Sequence, residues 1–228
     1  MITMKTVTLD TMERDASDIE LFLRIYLAKT GPYPAFPPKA EFLRRLWKTD
    51  HVTGKTLPDT PCTFLFIAES KTSPFAFMAG LWYPSFDAAF IECVVRNRSV
   101  VYAHQGAALM SYGIGALAVA GVKHVFLPIP DTAFWHHGEK PTALSPEKIE
   151  AWALSLGFEK LPFNLLTPPR DAKGRLQEGY TLTYMGPDAS PSVAAKVLGE
   201  EYRRLGVNPL LASETVYSTV RFDHSPIH

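Results

Sequence analysis

Residues 90–122 read FIECVVRNRSVVYAHQGAALMSYGIGALAVAGV, and their reading decides the fold. Residues 90–95 form an apolar run with one acid, Glu92, the pattern of a mostly buried strand. Residues 96–104 turn. Residues 105–120 contain no Lys, Arg, Asp or Glu and are rich in Ala, Leu, Met and Gly, which predicts a buried helix. Gly121 stands where a helix takes its left-handed terminating residue. Strand, tight loop and helix start bring unpaired backbone N–H groups and the positive end of the helix dipole to one point, the local geometry that holds a phosphate.

The charge-free run from 99 to 122 is also about as long as a membrane span. Tyr102, His104, Gln105, Ser111 and several glycines dilute it, and no Lys/Arg cluster brackets it as an anchor requires. A helix buried against a sheet explains the same apolarity, so no membrane partner is expected.

Working outward, residues 5–9 alternate as a first strand. Ser17 to Glu20 has the form of a capping box, followed by Ile19, Phe22, Leu23, Tyr26 and Leu27 at helical spacing. Residues 31–38, GPYPAFPP, break that helix with a stiff, aromatic-bearing loop. Phe42, Leu43, Leu46 and Trp47 mark a second, shorter helix. Residues 62–68 and 75–83 read as a strand pair turning at 71–74. Residues 123–129 are a buried strand expected to run parallel to the one at 90–95. After an irregular insertion at 131–144, Ser145 and Pro146 open a helix with Ile149, Trp152, Ala153 and Leu156 on its apolar stripe; Gly157 stops it. A hairpin loop is expected at 168–174 and a strand at 179–185.

The order is strand, two helices, three strands, helix, strand, helix, strand. It predicts an α/β fold with a mixed sheet and helices on both faces. Residues 187–228 form an extension, with helical composition at 192–205 and strand spacing at 214–222. That last strand offers a route to a homodimer.

The chain has 228 residues, 46% of them hydrophobic and 20% charged, which is globular composition. Its 23 basic and 23 acidic residues balance, which argues against nucleic acid as the main partner and leaves only a local patch. The two cysteines, Cys62 and Cys93, indicate no disulfide scaffold. With no signal-peptide shape at the N-terminus, they fit a cytoplasmic protein.

The stretch at 90–122 resembles the acyl-CoA-binding motif of the GNAT (GCN5-related N-acetyltransferase) superfamily, in which a strand leads to Arg-x-x-Gly-x-Gly/Ala at a helix start. The final glycine falls on Gly106, with Ala108 and Leu109 after it. Val101 stands at the arginine and His104 at the first glycine. Leu156-Gly157-Phe158 resembles a second family signature. The resemblance spans roughly residues 5 to 186 and implies an acyltransferase domain over 1–186.

Acyl transfer to an amine requires proton removal from the amine, polarisation of the thioester carbonyl and protonation of the leaving thiolate. The resemblance implies acetyl-CoA as acyl donor, held by backbone N–H groups of Cys93, Val94 and Val95 and, at its phosphates, by His104, Gln105, Gly106 and Ala107. Glu92 is the candidate base, because burial in an apolar strand raises a carboxyl's pKa toward neutrality; the alternative is an outward-facing Glu paired with a Lys or Arg. The family's general-acid tyrosine falls on Ala153, and the Asn often seen after the preceding strand is absent from Pro128-Ile-Pro-Asp131. Tyr83, Tyr102 and Tyr180 are substitutes, each with a structural alternative. His104 is either a donor to the pyrophosphate or a surface loop residue. Tyr33 and Phe36, which resemblance puts in the acceptor-shaping loop, and Trp135 in the insertion are candidate substrate contacts. Asp131, His136, His137 and Glu139 lack the helical spacing of a zinc site, so no metal is expected.

The expected activity is transfer of an acetyl or other acyl group from CoA to a small-molecule or peptide amine. Two alternatives stand beside it: a GNAT-fold binding or regulatory module without transferase activity, and an enzyme modifying a non-amine target such as a nucleobase.

Overall fold

The computed structural model describes residues 2–30, 43, 46–47, 61–71, 73–96, 105–130, 146–161, 165–166, 180–186 and 188–204. The chain divides into two compact units, Met1–Val125 and Phe126–His228.

The first unit contains β1 (Ile2–Val7), α1 (Ala16–Thr30), β2 (Cys62–Ser70), β3 (Ser73–Tyr83), β4 (Ala88–Arg96) and α2 (Gln105–Val119), and ends in the first residues of β5 (His124–Pro130). Its strands lie in the order β1-β2-β3-β4, each antiparallel to the next. Nearly every residue of β2 and β3 is buried, whichever face it points to. Strands covered on both sides carry continuous apolar runs instead of alternation, which is why CTFLFIA and FAFMAGLWY look as they do.

The helices cover the two faces. Phe22 of α1 packs its ring 5.7 Å from that of Phe77. On α2, a Cβ added to Gly113 would stand 2.6 Å from Met78 Sδ and 2.9 Å from Phe66 Cδ2, so the glycine lets this helix lie close on the sheet. Phe77 and Met78 are consecutive in β3 and point to opposite faces, so α1 and α2 do as well. Tyr112 of α2 sets its ring edge-on to Phe66 at 5.9 Å, and its hydroxyl is 3.2 Å from Thr6 Oγ1. Trp47 packs on the same side, 5.4 Å from Trp82 and 6.4 Å from Phe66.

A charge cluster ties α1 to the sheet. Lys5 Nζ donates to Asp15 Oδ1 at 3.0 Å and Asp18 Oδ2 at 2.6 Å, and Glu69 Oε2 lies 3.2 Å away. Burial disfavours the charged form of Asp15, but hydrogen bonds from Lys5, Thr11 and Arg14 outweigh it and hold the carboxyl below its ordinary range. Burial likewise opposes the Lys5 charge, and its three carboxylate partners outweigh it and raise its pKa.

This cluster also moves the start of α1. The sequence places a cap at Ser17, whereas the helix begins at Ala16 and the Asp15 carbonyl accepts from the Asp18 and Ile19 N–H groups. Pairing of the buried Asp15 with Lys5 fixes the entry two residues early. A second correction concerns Leu46 and Trp47, expected at the end of a helix. Leu46 forms a parallel bridge with Thr63, and Trp47 N–H donates to the Thr63 carbonyl at 2.7 Å, so these residues run beside β2.

The α2 helix ends in a Schellman motif. The Val122 N–H bonds the Leu117 carbonyl and the Gly121 N–H bonds the Ala118 carbonyl, with Gly121 at φ 97°. The Lys123 and His124 N–H groups then both donate to the Asp87 carbonyl, which docks the start of β5 against the β3–β4 turn. At 15 residues, α2 spans about 22 Å, short of the ~30 Å of a bilayer core. Among the described residues no helix is long and apolar enough to cross a membrane.

The second unit contains most of β5, α3 (Pro146–Ser155), β6 (Glu159–Lys160), β7 (Leu165–Leu166), β8 (Tyr180–Met185) and α4 (Pro191–Arg204). Here β8 pairs antiparallel with β5, β6 and β7. The two-residue strands β6 and β7 are too short to leave a pattern in sequence. Leu156-Gly157-Phe158 has a local cause: Gly157, at φ 83°, and Phe158 close α3 through bonds to the Leu154 and Ala153 carbonyls, and Phe158 is buried. The insertion at 131–144, the loop at 168–174 and the strand expected at 214–222 lie outside the described residues.

Candidate active site

The site is built on β4. Its pairing with β3 is regular at both ends and slips once. Gly80 pairs with Ile91, whereas the preceding residue, Ala79, pairs with Cys93. Glu92 is therefore the extra residue of a β-bulge. Cross-strand partners share a face, so Ile91 lies on the Gly80 face and Cys93 on the Ala79 face, although two residues apart in a regular strand share one. Burial changes at the same place. Residues 88–91 are buried, Glu92, Cys93 and Val94 are half-buried, Val95 is buried and Arg96 is exposed.

Gly80 makes the bulge sterically allowed. A Cβ there would lie 2.9 Å from Phe64 Cε1 and closer still to Phe64 Cζ and the Phe90 carbonyl oxygen. The chain had one signal of this: an isolated glycine inside a strand pattern marks a bulge or a close backbone approach.

From Arg96 the chain passes through residues outside the description and re-enters at Gln105, the first residue of α2. The first-turn N–H groups of a helix have no acceptor within it. This first turn carries no acid that would repel an anion. Among the described residues, nothing lies within 4 Å of a Cβ placed at Gly106. Half-buried Ala107 follows. The first-turn N–H groups of Gln105, Gly106 and Ala107 thus suit an anionic group such as a phosphate.

Of the other expected site residues, Tyr102, His104, Tyr33, Phe36 and Trp135 lie outside the described residues, as do Asp131, His136, His137 and Glu139. Among the described residues no group of three His, Cys, Asp or Glu could hold a metal ion. Tyr83 is buried, with its ring edge-on to Phe90 at 6.0 Å, which is a packing role. Tyr180 sits on β8 opposite Leu166. Ala153, at the family's tyrosine position, is fully buried and accepts the Phe158 N–H. Neither cysteine is in a disulfide, and burial pushes the Cys62 thiol up to about 11.

No family model and no curated protein sequence matches the chain. Solved structures do. A GNAT-family protein from Bacteroides thetaiotaomicron superposes with a TM-score of 0.56 at 10% identity, covering 90% of this chain and 98% of that one. The ribosomal-protein-S18-alanine N-acetyltransferase of Escherichia coli gives 0.50 at 15% identity, covering 83% and 96%. A GNAT-family protein from Desulfovibrio desulfuricans gives 0.50 at 10%, covering 81% and 98%. At such identities the likeness is one of fold, and it runs over nearly the whole length of each neighbour. The chain has the α/β fold of the GNAT superfamily, with a mixed sheet and covering helices.

Proposed function

We propose that this protein transfers an acyl group, acetyl in the first instance, from CoA to an amine. One observation supports this above the others: within a GNAT-type fold, β4 is bulged and half-buried at Glu92–Val94, and the helix that follows starts without an acid and with no described residue against Gly106. Acetyl-CoA would supply the activated acyl group as a thioester.

The chain's own groups divide the work. In this reading, those backbone N–H groups of Cys93, Val94 and Val95 that point away from β3 donate to the thioester carbonyl and the pantetheine amides, concentrating positive charge where the carbonyl oxygen gains negative charge. N–H groups of Gln105, Gly106 and Ala107 face the phosphates, where the helix dipole favours negative charge. Glu92 accepts the proton that the amine nitrogen loses as it bonds to the acyl carbon. The departing sulfur takes a proton from Tyr102, from His104 or from water. Tyr33, Phe36 and Trp135 are the acceptor-side contacts in this reading.

One observation favours a second reading. Ala153 puts a buried methyl where the family has its acid, and Val101 and His104 change the phosphate loop. A binding module that has lost transfer, or an enzyme acting on a non-amine target, fits those changes. The test is amine-dependent release of CoA thiol from acetyl-CoA across a panel of alkyl, aryl and amino-acid amines and peptide N-termini, with the product weighed for one added acetyl group. Transfer to any panel member supports the first reading. Acetyl-CoA binding without transfer to any of them removes it in favour of the second.

A further inference from the structure

We infer that Gly80, on β3, is a positioning residue that sets the acyl seat on β4. The inference rests on the acyl-CoA reading above and adds to it a residue on the neighbouring strand. The β3–β4 ladder is regular from Tyr83↔Ala88 to Gly80↔Ile91 and again from Ala79↔Cys93 to Ala76↔Arg96. Its single irregularity falls at Gly80, where the Phe90 carbonyl and the Phe64 ring both occupy space that any side chain would need.

Backbone is the harder of these two neighbours to move. A ring can turn, but the Phe90 carbonyl can retreat only if β4 moves away from β3 or gives up its bulge. Either movement changes the phase of β4 beyond Ile91, and with it which N–H groups leave the β3 ladder and which face Cys93 takes. Those are the N–H groups assigned to the thioester. Gly80 therefore acts at a distance, through the path of β4, without touching the donor.

The prediction separates the acyl end of the donor from its nucleotide end. Wild-type protein should bind acetyl-CoA more tightly than free CoA. In Gly80→Ala the acetyl preference should fall about tenfold or vanish, the scale of one misplaced hydrogen bond, while affinity for free CoA stays unchanged. Two controls exclude a general packing effect. Phe64→Leu removes the ring contact but keeps the glycine, and should keep the preference. Gly113→Ala crowds the same sheet face against Met78 and Phe66 and should change both affinities by one factor, leaving their ratio alone.

Should Gly80→Ala fail to fold, 15N-labelled wild-type protein supplies the second measurement. The amides of Gly80 and of Glu92–Val94 should shift differently with acetyl-CoA and with CoA. Identical shifts would overturn the inference, as would an unchanged acetyl preference in a folded Gly80→Ala. If wild-type protein binds neither ligand, the acyl-CoA reading itself fails and this inference falls with it.

Discussion

Removing Lys5 tests how the first unit is held together. In Lys5→Met, the aliphatic stem is kept and the ammonium lost. Asp15 then remains, with a side chain only 3% exposed, and keeps only its bonds to Thr11 and Arg14. Stranding one partner of a fully buried pair costs about 3–5 kcal/mol. Here Lys5, Asp18 and Glu69 keep 23%, 16% and 20% exposure, so solvent screens part of the interaction. The expected loss is about 2–3 kcal/mol at neutral pH.

Urea unfolding should show this as a lower midpoint at an unchanged slope. The pH dependence has a definite sign. Asp15 titrates below its unfolded value of about 3.9, so its contribution is complete above that value and is lost as pH falls through the folded one. Lys5 titrates above its ordinary value, so its contribution is complete below roughly pH 10.4 and is lost only at more alkaline pH. The gap between wild type and Lys5→Met should therefore stay level from pH 7 down to about 4 and narrow as pH falls further. Combining Lys5→Met with Asp15→Asn should give clearly less than the sum of the two losses. A gap under about 0.5 kcal/mol, or one constant with pH, would refute the reasoning, because it would make the cluster an ordinary surface pair.

Glu92→Gln should lower the rate of amine-dependent CoA release at least a hundredfold, the scale of a lost general base, with acetyl-CoA affinity retained; an unchanged rate removes Glu92 as the base. Gly106→Val should leave thermal stability within about 0.5 kcal/mol, since no described residue lies within 4 Å of that Cβ, yet weaken CoA binding by calorimetry; retained affinity would mean the phosphates lie elsewhere. The Cys62 thiol, pushed up to about 11, should resist iodoacetamide at pH 8, where only roughly a thousandth is thiolate, and react once the protein is unfolded in urea.

Much of the architecture was legible where one local cause decides the outcome. Gly121 and Gly157 end their helices because each takes a positive φ, and the sequence placed both stops. The continuous apolar runs of β2 and β3 identified central strands because nothing else buries both faces of so short a segment. What escaped depended on partners distant in the chain. The Asp15 start of α1 is set by Lys5 ten residues earlier and by Glu69 on β2, which no capping pattern contains. Gly80 looked like one more small residue in FAFMAGLWY, and its meaning depends on the Phe90 carbonyl of another strand. For the site, β4 and the start of α2 could be placed from their strand–loop–helix pattern. The bulge at Glu92 could not, since register is a property of two strands.

The most direct test of the central claim is calorimetric titration of the purified full chain with acetyl-CoA. The account predicts saturable binding of one acetyl-CoA per chain, in the micromolar range. A protein that is folded by circular dichroism yet gives no binding heat at any temperature tried would contradict it. The bulged β4 and the start of α2 would then be features of the fold that no acyl donor uses.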